Sequence, residues 1–281
     1  MGLTDTYKMN NGLEIPKLGF GTWQCSNEEA KQAVLWALEA GYRHIDTAQS
    51  YKNEEGVGEA LKETSVPRDE IFVTTKLHNR WHGYERTKEA IDVSLEKLGV
   101  EYIDLLLIHW PNPISTRDNW QEMNNESWKA MEEALEAGKI KSLGVSNFRP
   151  HHLEPLLDFA TIKPAVNQIM LNPSEMQPEV VAFNDKHQII NEAYSPFGTG
   201  KIFDIEELKE LAEKYGKSVG QLVLRWSLQH NFLPLPKTVT KERVWENADI
   251  FDFEIDESDM KIIDGLKGRA GSTSDPDQIT F

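Results

Sequence analysis

The chain has 281 residues, a length at which an α/β barrel commonly forms one domain, and 39% hydrophobic with 27% charged residues is typical of a globular protein with a sizeable core. Its 30 lysines and arginines against 46 aspartates and glutamates give a net charge of −16, which disfavours nucleic acid and anionic lipid as partners. The single cysteine, Cys25, excludes an internal disulfide, which fits a reducing compartment. The sequence also has no apolar span and no signal region, so we expect a cytoplasmic protein without membrane association.

The first predicted element is a β-hairpin. Its strands lie at residues 6–9 and 13–18, and Asn10-Asn11-Gly12 forms the turn between them. Asn-Gly supplies the positive φ angles that a tight hairpin turn requires.

Strands and helices then alternate along the rest of the chain. Eight strands are predicted at residues 17–23, 44–48, 71–76, 103–109, 140–146, 165–169, 189–194 and 232–237. Helices are predicted at residues 27–40, 55–63, 84–98, 126–137 and 150–159. Glycines stand where helices should end, at Gly41, Gly99, Gly138 and Gly216. Eight such units favour a closed (β/α)₈ TIM barrel that forms a single domain over residues 1–281.

An open, doubly wound sheet is the alternative fold. Its dinucleotide-binding form needs the pattern G-x-G-x-x-G after the first strand. The sequence Gly19-Phe20-Gly21-Thr22-Trp23-Gln24 lacks the third glycine, which argues against that fold.

Polar side chains stand at the ends of several predicted strands. Asp46, Lys76 and His109 end three of them, and Tyr51 follows Asp46 closely. The carboxyl ends of barrel strands meet at one mouth, where chemistry takes place. An ammonium beside a phenol lowers the phenol's pKa, and a carboxylate would hold the ammonium in place. We therefore expect Tyr51 to be a proton donor tuned by Lys76 and Asp46, with His109 orienting a substrate oxygen.

Three tryptophans also follow predicted strands. Trp23, Trp81 and Trp110 would form an apolar wall for a small ligand above the polar set. Two histidine pairs, His78 with His82 and His151 with His152, raise the question of a metal. Because neither pair has an evident third ligand in the sequence, no metal site is predicted, and both pairs are interpreted as solvated or capping.

Over nearly the whole chain these residues resemble the aldo-keto reductase family, in particular the short prokaryotic branch that includes the 2,5-diketogluconate reductases. The matching motifs are LGFGTW (18–23), GYRHIDTAQSY (41–51), TTKL (74–77), DLLLIHWP (104–111), GVSNF (144–148), VNQ (166–168), AYSPFGTGK (193–201), QLVLRW (221–226) and PLPKTVTKERVWEN (234–247). The resemblance implies that Asp46, Tyr51, Lys76 and His109 form the catalytic tetrad.

The resemblance further implies NADPH as cofactor. Ser146, Asn147 and Gln168 would bind the carboxamide, and Tyr194 would stack on the nicotinamide. The remaining implied contacts are Ser195, Pro196, Phe197 and Gly198 along the pyrophosphate, Lys237, Thr238, Val239 and Arg243 toward the 2′-phosphate, Glu246 and Asn247 near the adenine, and Thr22, Trp23 and Asp46. Substrate contacts are expected from Trp23, Tyr51, Trp81, His109 and Trp110.

The expected protein is a monomeric NADPH-dependent reductase of aldehydes and ketones. The stretch after Lys267 is short, so the long substrate-enclosing loop of mammalian relatives should be absent and the pocket open. Two alternatives stay open at this point: a Schiff-base lyase that uses Lys76, and a non-catalytic NADPH-binding barrel.

Overall fold

A computed structural model describes residues 2–281 of the chain. The predicted hairpin is present, with β1 (Thr6–Lys8) paired antiparallel to β2 (Glu14–Pro16). At its tip, the amides of Asn10 and Asn11 donate hydrogen bonds to Pro164 and Ser142. The hairpin thereby lies across the amino-terminal end of the sheet described next.

Eight parallel strands form that sheet, in sequence order. They are β3 (Phe20–Gly21), β4 (His44–Asp46), β5 (Phe72–Leu77), β6 (Ile103–Ile108), β7 (Ile140–Ser146), β8 (Val166–Met170), β9 (Ile190–Tyr194) and β10 (Leu233–Pro234). Backbone amides of Gly19 and Gly21 donate to the carbonyls of Pro234 and Pro236, at 3.1 and 3.0 Å, so the first and last strands meet. This closure confirms the predicted barrel.

The two closing strands are shorter than predicted for residues 17–23 and 232–237. Pro234 and Pro236 have no N–H to donate, so on this edge they can only accept hydrogen bonds. The two strands were therefore predicted at the correct positions, but the predicted ranges were too long.

Helices follow the strands on the outside of the barrel. They are α1 (Asn27–Glu39), α2 (Glu54–Glu63), α3 (Tyr84–Leu98), α4 (Trp120–Glu136), α5 (Pro150–Phe159), α6 (Pro178–Lys186), α7 (Glu206–Tyr215), α8 (Val219–Gln229), α9 (Lys241–Ala248) and α10 (Glu257–Asp264). Ser26 and Ser218 begin α1 and α8 with capping boxes that also use Glu29 and Gln221. Helix α4 starts six residues before the predicted 126–137.

Glycines shape both the helix ends and the helix packing. Gly99 and Gly216 end α3 and α7 with φ of 63°, in the left-handed region, as predicted. A Cβ on Gly58 would lie 2.6 Å from the carbonyl oxygen of Lys97 and 2.7 Å from that of Leu98. Helix α2 therefore packs against the end of α3 at a distance that only glycine permits.

The core lies in two layers. One fills the space between strands and helices and includes the fully buried Trp128 and Phe148. The other lies at the amino-terminal end of the barrel, where Ile15 of the hairpin packs with Leu107 and Leu233. With that end filled by apolar side chains, the carboxyl ends of the strands are left for the polar residues described below. Within residues 2–281, no helix combines the length and apolar character needed to cross a bilayer.

Candidate active site

The four residues predicted to form a tetrad come together at the carboxyl ends of β4, β5 and β6. Asp46 ends β4, Lys76 lies on β5, and His109 directly follows β6. Tyr51 lies at the end of a short 3₁₀ turn after β4. The strand-end argument made from the sequence therefore predicted their convergence.

Lys76 is fully buried and forms the centre of this group. Its Nζ donates to both carboxylate oxygens of Asp46 at 2.8 Å, to the carbonyl of Thr47 at 3.0 Å and to Tyr51 Oη at 3.2 Å. Burial opposes its charge, but the nearby Asp46 and Tyr51 outweigh this and raise the pKa of Lys76 to about 12. Burial also raises the pKa of Asp46, against the opposing effect of Lys76. Lys76 is therefore protonated, and Asp46 holds it in place.

The phenol of Tyr51 differs from the expectation in one respect. The sequence argument expected Lys76 to lower the pKa of Tyr51 below its ordinary value. In the structure, burial raises the pKa of Tyr51, and Lys76 offsets this only in part. The phenol is consequently protonated at neutral pH, which is the form a proton donor needs. The adjacent ammonium would stabilise the phenolate left after transfer.

His109 is neutral in this setting. Burial, with a further contribution from the charge of Lys76, lowers the pKa of His109 well below its ordinary value. The Ser50 hydroxyl lies 3.3 Å from Nδ1 and can donate to it, which leaves the proton on Nε2. Its ring meets that of Tyr51 edge-on at 5.9 Å. A neutral imidazole beside the phenol can donate a hydrogen bond to a substrate oxygen.

A set of amide and hydroxyl groups follows on the neighbouring strands. The Nε2 of Gln168 donates to Asp46 at 2.8 Å and to Glu192 at 2.7 Å, so its Oε1 is left to accept from a ligand. Asn147, which has a left-handed φ of 62°, accepts from the hydroxyl of Tyr194 at 2.8 Å. Ser146 donates to the backbone of Gln168 at 2.8 Å. These groups would suit a carboxamide, which offers both donors and an acceptor.

These groups line a cavity of about 840 Å³. Most of the predicted contacts line it: Trp23, Asp46, Tyr51, His109, Trp110, Ser146, Asn147, Gln168, Tyr194, Ser195, Pro196, Phe197, Lys237, Thr238, Arg243, Glu246 and Asn247. The volume is that of a pocket for a ligand of drug size or larger.

Five predicted site residues do not line the cavity. Lys76 lies behind Tyr51, and Thr22 is fully buried with its hydroxyl on the carbonyl of Asp46. Gly198 and Val239 are next to lining residues in the sequence but do not line the cavity themselves, and the side chain of Val239 is exposed. Trp81 stands away from the wall, with the guanidinium of Arg80 over its ring. The predicted substrate contact of Trp81 therefore stays a prediction, since this residue is not among those that line the cavity.

One end of the cavity is cationic. Lys237, Thr238 and Arg243 line it there, and among residues 2–281 no acidic side chain forms an ion pair with Lys237 or Arg243. An ammonium and a guanidinium free of carboxylates form a donor set that suits a phosphate dianion. Phosphate at this end and the amide set near the tetrad together fit the predicted dinucleotide.

Several lining residues were missed by the sequence reasoning: Gly21, Gln24, Ser50, Thr199, Gly200, Phe203, Gly220, Leu235 and Phe281. Ser50 could have been found from its place beside Tyr51. Phe281 had no local signal, since its ring packs edge-on against Trp110 at 5.5 Å, far away in sequence. The segment after Lys267 contributes this residue to the pocket lining, while the absence of a long enclosing loop stays a prediction.

Asp277 anchors this final segment. Its carboxylate accepts from Asn112 at 2.8 Å, from His152 Nε2 at 2.8 Å and from His151 Nε2 at 2.9 Å. Burial opposes its ionisation, but the hydrogen bonds from Asn112 and His152 lower the pKa of Asp277 to about 2. It is therefore a carboxylate at neutral pH.

Asp277 is the third possible metal ligand that the sequence did not show for the pair His151 and His152. His151, His152 and Asp277 have ligand atoms within 4.8 Å of one another. However, His152 Nδ1 accepts from the backbone N–H of Arg149 at 3.1 Å, which leaves the proton on Nε2, toward Asp277. Both ring nitrogens of His152 are thus engaged: Nδ1 caps the start of α5, and Nε2 holds Asp277. His82 is not solvated, because its side chain is buried, while its backbone stands at the C-cap of the 3₁₀ turn Asn79–Trp81.

Comparison with known proteins identifies the family. The model of the Aldo/keto reductase family matches residues 17–267. The chain is 45% identical over 280 residues to glyoxal reductase of Bacillus subtilis (strain 168), with 99% of each chain covered. It is 46% identical over 274 residues to methylglyoxal reductase DkgA of Escherichia coli (strain K12), with 97% of each covered.

A solved structure supports the same conclusion. The Bombyx mori aldo-keto reductase in complex with NADP superimposes with a TM-score of 0.86 and 38% identity, and covers 96% of this chain and 94% of that one. The resemblance inferred from the motifs is confirmed. The chain belongs to the aldo-keto reductase family and is a carbonyl-reducing enzyme.

Proposed function

We propose that this chain reduces small aldehydes and ketones with NADPH, and that 2-oxoaldehydes such as glyoxal and methylglyoxal are among its substrates. The names of its relatives in Bacillus subtilis and Escherichia coli support this substrate class. The observation that carries the proposal is the contact of Lys76 with both Asp46 and Tyr51 at one end of a cavity whose other end is cationic.

We assign the cofactor to the length of this cavity. Lys237, Thr238 and Arg243 would hold the 2′-phosphate, and Glu246 and Asn247 would face the adenine end. Ser195, Pro196 and Phe197 would line the path between the ends. When bound, NADPH supplies the hydride for the carbonyl carbon.

At the other end, Gln168 Oε1 would accept from the carboxamide N–H₂, while Ser146 and Asn147 complete its polar contacts. Tyr194, held by Asn147, would present its ring to the nicotinamide. The rings of Trp23, Trp110 and Phe281 would exclude water from the substrate.

The proton comes from this chain. Tyr51 donates it to the carbonyl oxygen as negative charge develops there, and Lys76 stabilises the phenolate that remains. His109 orients the same oxygen through a hydrogen bond. Asp46 holds Lys76 charged and in place.

The two alternative functions fit the structure less well. A Schiff-base lysine must lose its proton to attack a carbonyl. Burial opposes the charge of Lys76, but Asp46 and Tyr51 outweigh it and raise the pKa of Lys76 to about 12, and its Nζ is surrounded by acceptors. A barrel that only bound the cofactor would have no need of the Asp46, Tyr51 and Lys76 arrangement.

The test is Tyr51→Phe, which removes the donated proton and keeps the ring. We expect turnover of methylglyoxal to fall at least about 100-fold while NADPH affinity stays within a factor of two. The matched control is Tyr7→Phe, which removes another buried phenol hydroxyl, on β1 of the hairpin at the amino-terminal end of the barrel and outside the cavity lining. If Tyr51→Phe keeps a tenth or more of wild-type turnover, Tyr51 is not the proton donor.

Three further properties are part of the proposal. We assign the chain one barrel domain over residues 1–281, a cytoplasmic location and a monomeric state. The buried, unpaired thiol of Cys25 is compatible with a reducing compartment. Sedimentation at micromolar concentration would test the monomer.

A further inference from the structure

A second carboxyl group lies beneath the candidate active site. Glu192, on β9, is fully buried inside the barrel. Its Oε2 accepts a hydrogen bond of 2.7 Å from Gln168 Nε2, and the same nitrogen donates to Asp46 Oδ1 at 2.8 Å. One amide group thus joins Glu192 to the carboxylate that holds Lys76.

The other oxygen of Glu192 has no hydrogen-bond partner among the residues described. Glu192 Oε1 lies 3.6 Å from His44 Nε2, which itself is 2.9 Å from the hydroxyl of Thr74. An ionised carboxylate needs donors on both oxygens, whereas a protonated acid carries one of its own. The surroundings of Glu192 therefore suit the neutral acid.

The ionisable groups that act on Glu192 come from β4 and β5. They are His44, Asp46 and Lys76. Burial and the charge of Asp46 raise the pKa of Glu192 to about 8, and Lys76 opposes this. Burial and Lys76 lower the pKa of His44 to about 3, so His44 is neutral and cannot pair with an ionised Glu192.

We propose that Glu192 is a positioning residue of the reductase: through Gln168 it acts on Asp46, and its charge state controls how readily Tyr51 gives up its proton. The inference rests on the role of Tyr51 in the proposed function. As the neutral acid, Glu192 fixes the Gln168 amide without adding charge. As a carboxylate, it puts a second negative charge next to the Asp46 and Lys76 pair.

The sign of the effect follows from electrostatics. A negative charge at Glu192 disfavours the phenolate and so raises the pKa of Tyr51. A weaker acid donates its proton more slowly. Reduction should therefore slow as Glu192 ionises, between about pH 7 and 9, in a range where Tyr51 itself stays protonated.

The experiment compares pH profiles of kcat/KM for methylglyoxal reduction in the full chain with saturating NADPH. The wild type should fall about threefold between pH 7 and 9, for a shift of about one pH unit in the acidity of Tyr51 and a proton half transferred in the transition state. Glu192→Gln keeps an oxygen acceptor for Gln168 and cannot ionise, so its profile should be flat over this range.

A second variant and a control separate charge from packing. Glu192→Leu loses the Gln168 bond, so it should be slower by a constant factor but equally flat. The control Glu54→Gln removes another buried carboxyl, which accepts from Thr75 at 2.7 Å and Ser94 at 2.8 Å and does not act on Tyr51. It should retain the threefold fall.

Each outcome is decisive. If Glu192→Gln or Glu192→Leu falls with pH as the wild type does, or if the wild type shows no fall, the role of Glu192 is refuted. If Tyr51→Phe, measured alongside, is inactive in that case, the proposed function survives without it. If Tyr51→Phe remains active, the proposed function fails first.

Discussion

Replacing Lys76 by methionine should show what the buried ion pair contributes to stability. Among residues 2–281, Lys76 is the only cation in contact with Asp46, so Lys76→Met leaves the Asp46 carboxyl buried with Gln168 as a remaining donor. An unpaired buried carboxylate is strongly unfavourable, so Asp46 will take up a proton in the folded state. The variant should therefore lose stability as pH rises.

The size of the loss follows from linkage. In the unfolded chain, the Asp46 carboxyl ionises with its ordinary pKa of 3.8. Without the opposing charge of Lys76, burial should keep this carboxyl protonated in the folded variant up to neutral pH. Each pH unit above 3.8 then costs about 1.4 kcal/mol. Relative to a variant that also carries Asp46→Asn, Lys76→Met should be less stable by about 2 kcal/mol at pH 5.5 and about 4 kcal/mol at pH 7.

Urea unfolding of the single and the double variant at several pH values measures this difference. Both carry methionine at position 76, so the packing of the new side chain cancels. A difference in the free energy of unfolding that does not change between pH 5.5 and 7 would refute this prediction, because it would mean that Asp46 is already ionised at pH 5.5 in the folded variant.

Three other substitutions test separate parts of the structure. Lys237→Ala should weaken NADPH binding about 10- to 100-fold and NADH binding less than threefold, because only NADPH carries the 2′-phosphate; equal losses in fluorescence titrations would remove that assignment. Asp277→Ala should raise KM for methylglyoxal at least about threefold with little change in kcat, because Phe281 is no longer held at the pocket. An unchanged KM would show that the tail needs no anchor. Gly58→Ala should lower the free energy of unfolding by about 1–3 kcal/mol, since its Cβ would meet the backbone of Lys97. Full wild-type stability in thermal unfolding would contradict that close packing.

Local sequence patterns were sufficient to predict the barrel and the convergence of Asp46, Tyr51, Lys76 and His109 at its mouth. Alternating apolar runs and helix-ending glycines such as Gly99 and Gly216 are short-range signals, and they predicted the order of strands and helices. The rule that barrel chemistry lies at strand ends then brought Asp46 and Lys76 together without any knowledge of distance.

Other features depend on contacts between distant parts of the chain. The partners of Asp277 lie at Asn112, His151 and His152, more than 100 residues earlier, and no spacing rule connects them. The same holds for Glu192, because the sequence of β9, INEAY, does not reveal that the Glu192 side chain faces Gln168. The raised pKa of Tyr51 reflects burial, and burial at that position is visible only in the folded barrel.

The way in which the barrel closes has a consequence for synthesis on the ribosome. The edge of β3 receives its partners, Pro234 and Pro236, only after about 200 further residues have been made, which at 5–20 residues per second takes about 10–40 s. During that time the growing sheet stays open, with the outer edge of β3 and that of the most recent strand both unpaired. Strand β2, which carries Ile15, is made before the barrel strands, yet its apolar face is fully covered only once Leu233 has been made. We expect nascent chains that stop short of residue 233 to bind chaperones and to be cleaved readily by proteases.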